Sequence, residues 1–263
     1  DQEGGIVQRI KDGVDAVASQ ADTATGTLPE ARCTYYRLGT QLRALGVNQD
    51  YAPVADVIRE PQDVIGTRSF GTDPARDAAF VRAAVTGLQS AGVLATVKHW
   101  PGHGNTLTDS HAALAVLHQD ATSWRRVDRR PFAAAAGEVA AVMVGHLALP
   151  ALDPSMRPAT LSPVLVRGQL RKVLGFRGLV VTDSMWMQPV RAAGDPAQAA
   201  VLALRAGDDM LLMSPDVPGA SRALLARVQR SPRVRAMVQA AVRYVLAAKA
   251  RIGNQPGPDL CSS

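Results

Sequence analysis

A chain of 263 residues with 47% hydrophobic and 20% charged content can bury a large core, which leaves one domain of α/β-barrel size or two smaller ones as the open classes. No apolar run reaches the roughly 18 residues that span a bilayer, and Asp1-Gln2-Glu3-Gly4-Gly5 has neither the basic nor the apolar region of a secretory signal. The net charge of +6 is carried mainly by scattered arginines and only 4% of residues are aromatic, so the basic and aromatic interleaving that binds single-stranded nucleic acid is absent; an anionic surface such as a cell wall remains a fitting neighbour.

Along the chain, short apolar runs alternate with helical patterns, the order expected of a parallel α/β fold. Strands are predicted to end near Val57, Val97, His146, Asp183 and Met213. Ser162 reads as a helix cap with Pro163 in the first turn and Gly175 past the end; Asp195, Pro196 and Gly207 punctuate the next helix in the same way. The spacing predicts a last amphipathic helix over 234–252, opening after Ser231-Pro232 and ending at Gly253. No internal repeat or linker divides the chain, so residues 1–263 read as one domain.

Cys33 and Cys261 have no metal-ligand spacing. They form either one long-range disulfide, which would imply an oxidising compartment, or two unrelated thiols; the Pro-Gly-rich tail around Cys261 tips the reading towards the disulfide.

Lys98-His99-Trp100-Pro101-Gly102-His103-Gly104, followed by Asp109-Ser110-His111, concentrates a lysine, three histidines and a carboxylate directly after the apolar run 93–97. That is the pattern of a buried strand delivering a loop to a working surface. Asp56, Lys98, His99, His146 and Asp183 all fall near predicted strand ends, and in a parallel barrel those ends open on one face. Asp183, after the run 178–182, is either a cap for the following helix or a working carboxylate; Ser184-Met185-Trp186-Met187 suits a pocket wall better than an exposed helix start. Asp109 is placed to orient and polarise His111 as a proton shuttle, against the plainer reading of a surface hydrogen bond. All five histidines lie between 99 and 146, but their spacing matches no metal motif and Lys98 sits beside the supposed cation. Arg9 and Arg68, each more often a solvated residue, together suggest a sugar or phosphate ligand.

Taken with the blocks 52–57, 66–71, 158–162, 182–184 and 206–211, these motifs resemble the bacterial β-N-acetylglucosaminidases of glycoside hydrolase family 3. The resemblance runs nearly end to end. It implies an α/β TIM-like (β/α)8 barrel whose first strands lie before the Asp-Gln-Glu-Gly-Gly block, so that the chain is expected to extend upstream of residue 1. It implies a retaining β-N-acetylglucosaminidase, without cofactor or metal, acting as a monomer on terminal β-linked GlcNAc of peptidoglycan fragments or related glycans. By the same resemblance Asp183 is the nucleophile, His111 oriented by Asp109 is the acid/base, and Asp1, Arg9, Arg68, Lys98 and His99 hold the sugar ring. Ile6 and Trp100 depart from the family's usual arginine and phenylalanine and are expected to alter the pocket rim. A histidine acid/base also admits anionic acceptors, which keeps a GlcNAc phosphorylase in view; a metal-dependent barrel hydrolase and a non-catalytic sugar-binding protein are the other rivals. The arginine bias and the cysteine pair favour the cell envelope or secretion over the cytoplasm.

Overall fold

The computed structural model describes all residues except 60–63, 107, 111, 193, 253–256, 258, 262 and 263. The strands in chain order are β1 (Gln2–Gly4), β2 (Val7–Gln8), β3 (Gln49–Asp50), β4 (Leu94–Trp100), β5 (Ala115–Val116), β6 (Ala141–Val144), β7 (Leu147–Ala148) and β8 (Leu179–Thr182). The helices are α1 (Gln20–Thr23), α2 (Leu28–Ala44), α3 (Pro74–Ser90), α4 (Ala121–Arg126), α5 (Arg129–Ala135), α6 (Gln188–Arg191), α7 (Pro196–Ala206), α8 (Val217–Arg230) and α9 (Pro232–Ile252). A wide helix, Val164–Val173, carries bonds that span five residues, from Gly168 N–H to Pro163 C=O at 3.0 Å and from Leu174 N–H to Gln169 C=O at 2.8 Å.

The central sheet has the order β3-β4-β6-β8, every pair parallel, with α3, α4 and α5, and the wide helix as crossovers. Parallel bridges add Val54 beside Lys98 and Met210 beside Val181. β4 and β6 are buried along their whole length, because helices cover a parallel sheet on its faces. The described residues do not by themselves close the TIM-like (β/α)8 barrel that the resemblance implies, whose first strands it places before residue 1: pairing stops at β3 on one side and at Met210 on the other, so the sheet they form is open.

Several strand ends shift from their predicted places. β4 runs on to Trp100, so Lys98 and His99 sit inside the strand rather than after it. The stretch before Val57 is a two-residue strand followed by a single bridge. It contains the cis bond Ala52-Pro53, and Pro53 has no N–H to give to a ladder. Beyond Met210 the chain makes no further ladder, although Leu212 C=O still accepts the Met185 N–H at 2.9 Å.

Helix ends follow local chemistry. Thr27 and Glu30 form a reciprocal capping box on α2, Asp73 caps α3 with Pro74 behind it, and Asp195-Pro196 opens α7, which Gly207 stops at φ +118°. Ser162 Oγ accepts the Leu165 N–H at 3.2 Å, as its place before the wide helix predicts. The last helix spans Pro232–Ile252, while the predicted stop at Gly253 lies outside the described residues.

Trp100 stands at the centre of the core, edge-on to Trp124 at 5.6 Å and to Phe132 at 5.3 Å, with its indole N–H donated to Leu165 C=O at 3.1 Å. The expectation that it shapes the pocket rim is thereby corrected: the side chain of this inward position packs under the crossover helices.

Cys33 on α2 is disulfide-bonded to Cys261 across 228 residues, tying the C-terminal tail to the helical layer. Cutting this long loop relaxes the unfolded chain. Cys33→Ser is expected to cost about 2–4 kcal/mol in denaturant unfolding, read as a lower midpoint relative to the oxidised protein; an unchanged midpoint would contradict a stabilising role for the bridge.

Candidate active site

β1 and β2 form a hairpin whose turn needs Gly4 at φ +97° and Gly5 at φ +56°. A Cβ on Gly4 would also stand 2.3 Å from the Ala18 carbonyl oxygen, so glycine is required on both counts. The Gln2 N–H is donated to Asp50 Oδ1 at 2.9 Å, which pins this hairpin against β3 and lays Asp1 and Glu3 over the end of the sheet.

There Lys98, buried within β4, places its Nζ 2.6 Å from Asp1 Oδ1 and 2.6 Å from Glu3 Oε1. Arg68 grips Glu3 with two parallel bonds, Nε to Oε2 at 2.8 Å and Nη2 to Oε1 at 2.9 Å, a geometry only guanidinium supplies. Burial alone would push the Glu3 carboxyl up, but Lys98 and Arg68 together pull it down to about 2.

Asp56 organises the other wall. It is fully buried; its Oδ1 accepts the backbone N–H groups of His99 at 3.0 Å and His103 at 2.7 Å, and its Oδ2 lies 2.7 Å from His99 Nδ1. An ionised carboxylate only accepts, so the His99 proton sits on Nδ1 and Nε2 is the ring atom turned to other partners. The Lys98-His99 and Trp100-Pro101 peptide bonds are cis.

Asp183 follows β8, its N–H donated to Val144 C=O at 2.9 Å and its Oδ1 accepting the Ser184 N–H at 2.7 Å. It does not cap the next helix, which begins at Gln188 after Met187. His146 donates its Nε2–H to the Ser184 carbonyl at 2.9 Å and so braces the same segment. Burial works against charge on Asp183, yet His99, His146, the Ser184 N–H and Lys98 hold its carboxyl below the ordinary aspartate value.

A cleft of about 440 Å³ gathers Asp1, Arg9, Arg68, Lys98, His99 and Asp183, with Trp186 and Met213 exposed at its edge. The structure therefore brings six of the eight sequence-designated residues to one place. Asp109 is an exposed loop residue that does not line this cleft, and His111 lies outside the described residues. Ile6 is 81% exposed and likewise does not line it. Among the described residues no group of three or more His, Cys, Asp or Glu side chains has the arrangement of a metal site.

Sequence reasoning missed Glu3 as a site component. Glu3 lay in plain view two residues after Asp1, and a second acid in the same glycine turn was the available signal; the pocket-wall reading of Ser184-Met185-Trp186-Met187 agrees with the cleft, which Trp186 lines. Asp209, in the block 206–211, proves structural: it accepts the Val180 N–H at 2.8 Å and pairs with Arg171.

The chain matches the Glycosyl hydrolase family 3 N terminal domain over residues 1–248. It belongs to that family. It is 36% identical over 229 residues to the beta-hexosaminidase of Pseudomonas aeruginosa strain LESB58, covering 86% of this chain and 68% of that protein. Its fold is similar to that of a glycoside hydrolase family 3 beta-N-acetylglucosaminidase from Paenibacillus sp. str. FPU-7, with TM-score 0.91 and 39% identity over 96% of this chain, which spans 49% of that one. It is also similar to beta-N-acetylhexosaminidase from Beutenbergia cavernae, with TM-score 0.88 and 32% identity over 95% of this chain and 77% of that one. The glycoside hydrolase domain is thus an α/β, TIM-barrel-like unit.

Glu3 gives a pH test. Its carboxyl stands at about 2 in the folded chain against 4.5 for the free group, so its stabilising contribution is complete above 4.5 and disappears as pH falls through about 2. Over that window the native protein is expected to lose about 3 kcal/mol that Glu3→Gln, less stable at neutral pH, does not lose. Denaturant unfolding at a series of pH values measures this; parallel stability curves for the two proteins would contradict it.

Proposed function

We propose that this glycosidase is a retaining β-N-acetylglucosaminidase that releases terminal β-linked GlcNAc from peptidoglycan-derived fragments or related glycans. The observation that carries the reading is Asp183, a half-buried carboxylate held ionised at the end of β8 in a cleft with Lys98, Arg68 and His99. Relatives named beta-hexosaminidase and beta-N-acetylglucosaminidase support the sugar.

In this reading Asp183 Oδ attacks the anomeric carbon as the bond to the leaving oxygen breaks. His111, oriented by Asp109, gives its proton to that oxygen. The neutral imidazole then takes a proton from water, which attacks the same carbon, displaces Asp183 and restores the original configuration. Asp1, Arg9, Arg68, Lys98 and His99 hold the ring hydroxyl and acetamido groups, with Lys98 and Arg68 fixed by Glu3 before substrate arrives. The Cys33–Cys261 disulfide supports a place outside the cytoplasm, in the cell envelope or secreted.

Asp183→Ala is expected to lower kcat by on the order of 10³-fold or more while leaving the circular dichroism spectrum unchanged. Incubation of the native protein with 5-fluoro N-acetylglucosaminyl fluoride is expected to add one glycosyl mass, mapping to Asp183 by peptide analysis. Unchanged turnover in the variant, or an adduct on another side chain, would overturn the assignment.

A further inference from the structure

Just past the end of β6 stands a fully buried histidine, His146, that does not line the cleft. The residue before it, Gly145, gives its N–H to the Trp100 carbonyl at 2.9 Å, and a Cβ there would stand 3.0 Å from His99 Cβ. The chain that carries His146 is therefore pressed against β4 beside the cleft, and its imidazole reaches across to the segment after β8.

The ring is held at both nitrogens. Nε2 lies 2.9 Å from the Ser184 carbonyl oxygen, and a carbonyl only accepts, so Nε2 carries a proton. Nδ1 lies 2.7 Å from the hydroxyl of Thr160, which is also fully buried. A neutral ring takes the hydroxyl proton there; a protonated ring gives its own, and the hydroxyl then donates to the Gly145 carbonyl at 3.1 Å. Donation to Ser184 is the same in both states.

Ser184 directly follows Asp183, and its N–H is donated to Asp183 Oδ1 at 2.7 Å. The main chain anchors the same segment twice more, with the Asp183 N–H on Val144 C=O and the Met185 N–H on Leu212 C=O, each at 2.9 Å. Those two bonds do not depend on side-chain identity, whereas the bond to the Ser184 carbonyl needs a donor at position 146. We infer that His146, oriented by Thr160, is a positioning residue for the nucleophile: by holding the Ser184 carbonyl it keeps the Ser184 N–H on Asp183 Oδ1 and so fixes the rotation of the carboxylate that attacks the anomeric carbon. The inference rests on the proposed role of Asp183. Without the imidazole donor the Ser184 carbonyl loses this partner, and the peptide is free to turn.

A variant that turns Asp183 aside slows its attack without loosening the sugar, because Asp1, Arg68 and Lys98 are untouched. The rate at which 5-fluoro N-acetylglucosaminyl fluoride labels Asp183, followed by intact mass, reads that attack directly, since a good leaving group needs little proton donation. His146→Leu is expected to be labelled roughly 10- to 100-fold more slowly than native protein, the scale of a small misplacement of a reacting group. Its dissociation constant for N-acetylglucosamine, measured by titration calorimetry, should stay within about twofold of native. His146→Gln, whose amide N–H can replace Nε2–H, should recover most of the lost rate. Thr160→Val, which keeps the imidazole and removes its guide, should lose roughly 3- to 10-fold and carries the test if His146→Leu does not fold. Native labelling rates in both His146→Leu and Thr160→Val, equal losses of labelling and sugar affinity, or no recovery in His146→Gln would overturn the positioning role alone. No adduct on Asp183 in the native protein would overturn the nucleophile reading and the positioning role with it.

Discussion

Asp56 is the constraint on which the rest of the site depends. A carboxylate removed entirely from solvent is costly unless its oxygens are satisfied, and here they are satisfied by the His99 and His103 N–H groups and the His99 ring. Burial pushes the group up, but the His99 ring and these hydrogen bonds hold it below the usual carboxylate range. One side chain thereby fixes the tautomer of His99 and the path of the chain through Trp100, Pro101 and Gly102. It also fixes the starting point of the loop that carries Asp109. Without that fixed charge, the end of β4 would have buried N–H groups with no acceptor.

The cleft itself is electrically balanced. Asp1, Glu3 and Asp183 face Arg9, Arg68 and Lys98, and Glu3 already engages both the buried Lys98 and the partly buried Arg68. An anion entering such a cleft would find much of its positive charge already paired, whereas a neutral polyhydroxyl ring can exchange hydrogen bonds with every member. Electrostatics alone thus favour a neutral sugar, and Asp183 keeps its negative charge because the cations and dipoles around it outweigh desolvation. In the proposed reaction that charge would stand beside the anomeric carbon, where positive charge develops in the transition state.

Much of this was legible in the sequence, for identifiable reasons. Helix limits such as Asp195-Pro196 to Gly207 could be read because capping chemistry is local. Asp183 and Lys98 could be placed on one face because parallel strands share a polarity. Glu3 was missed because its role depends on Lys98, distant in sequence, and Arg68 converging on it. Trp100 was misplaced because an aromatic residue inside a polar motif looks like a rim residue until the strand is seen to continue through it. The wide helix and the early end of β3 were not visible either, since both are settled by packing rather than by residue preference.

The site divides its labour by element. Lys98, His99 and Asp183 stand on or beside strands, and Asp1 and Arg9 flank the tight glycine hairpin of β1 and β2, whose positions are set by ladder bonds and buried ion pairs. The loop that carries Asp109 is tied to the end of β4 by the bond between His103 and Ser110. In the proposed reaction the nucleophile and the residues that hold the ring keep one geometry through both halves, while the acid/base first gives a proton to a departing sugar and then takes one from water, serving two oxygens in turn. Strand-borne rigidity suits the first task.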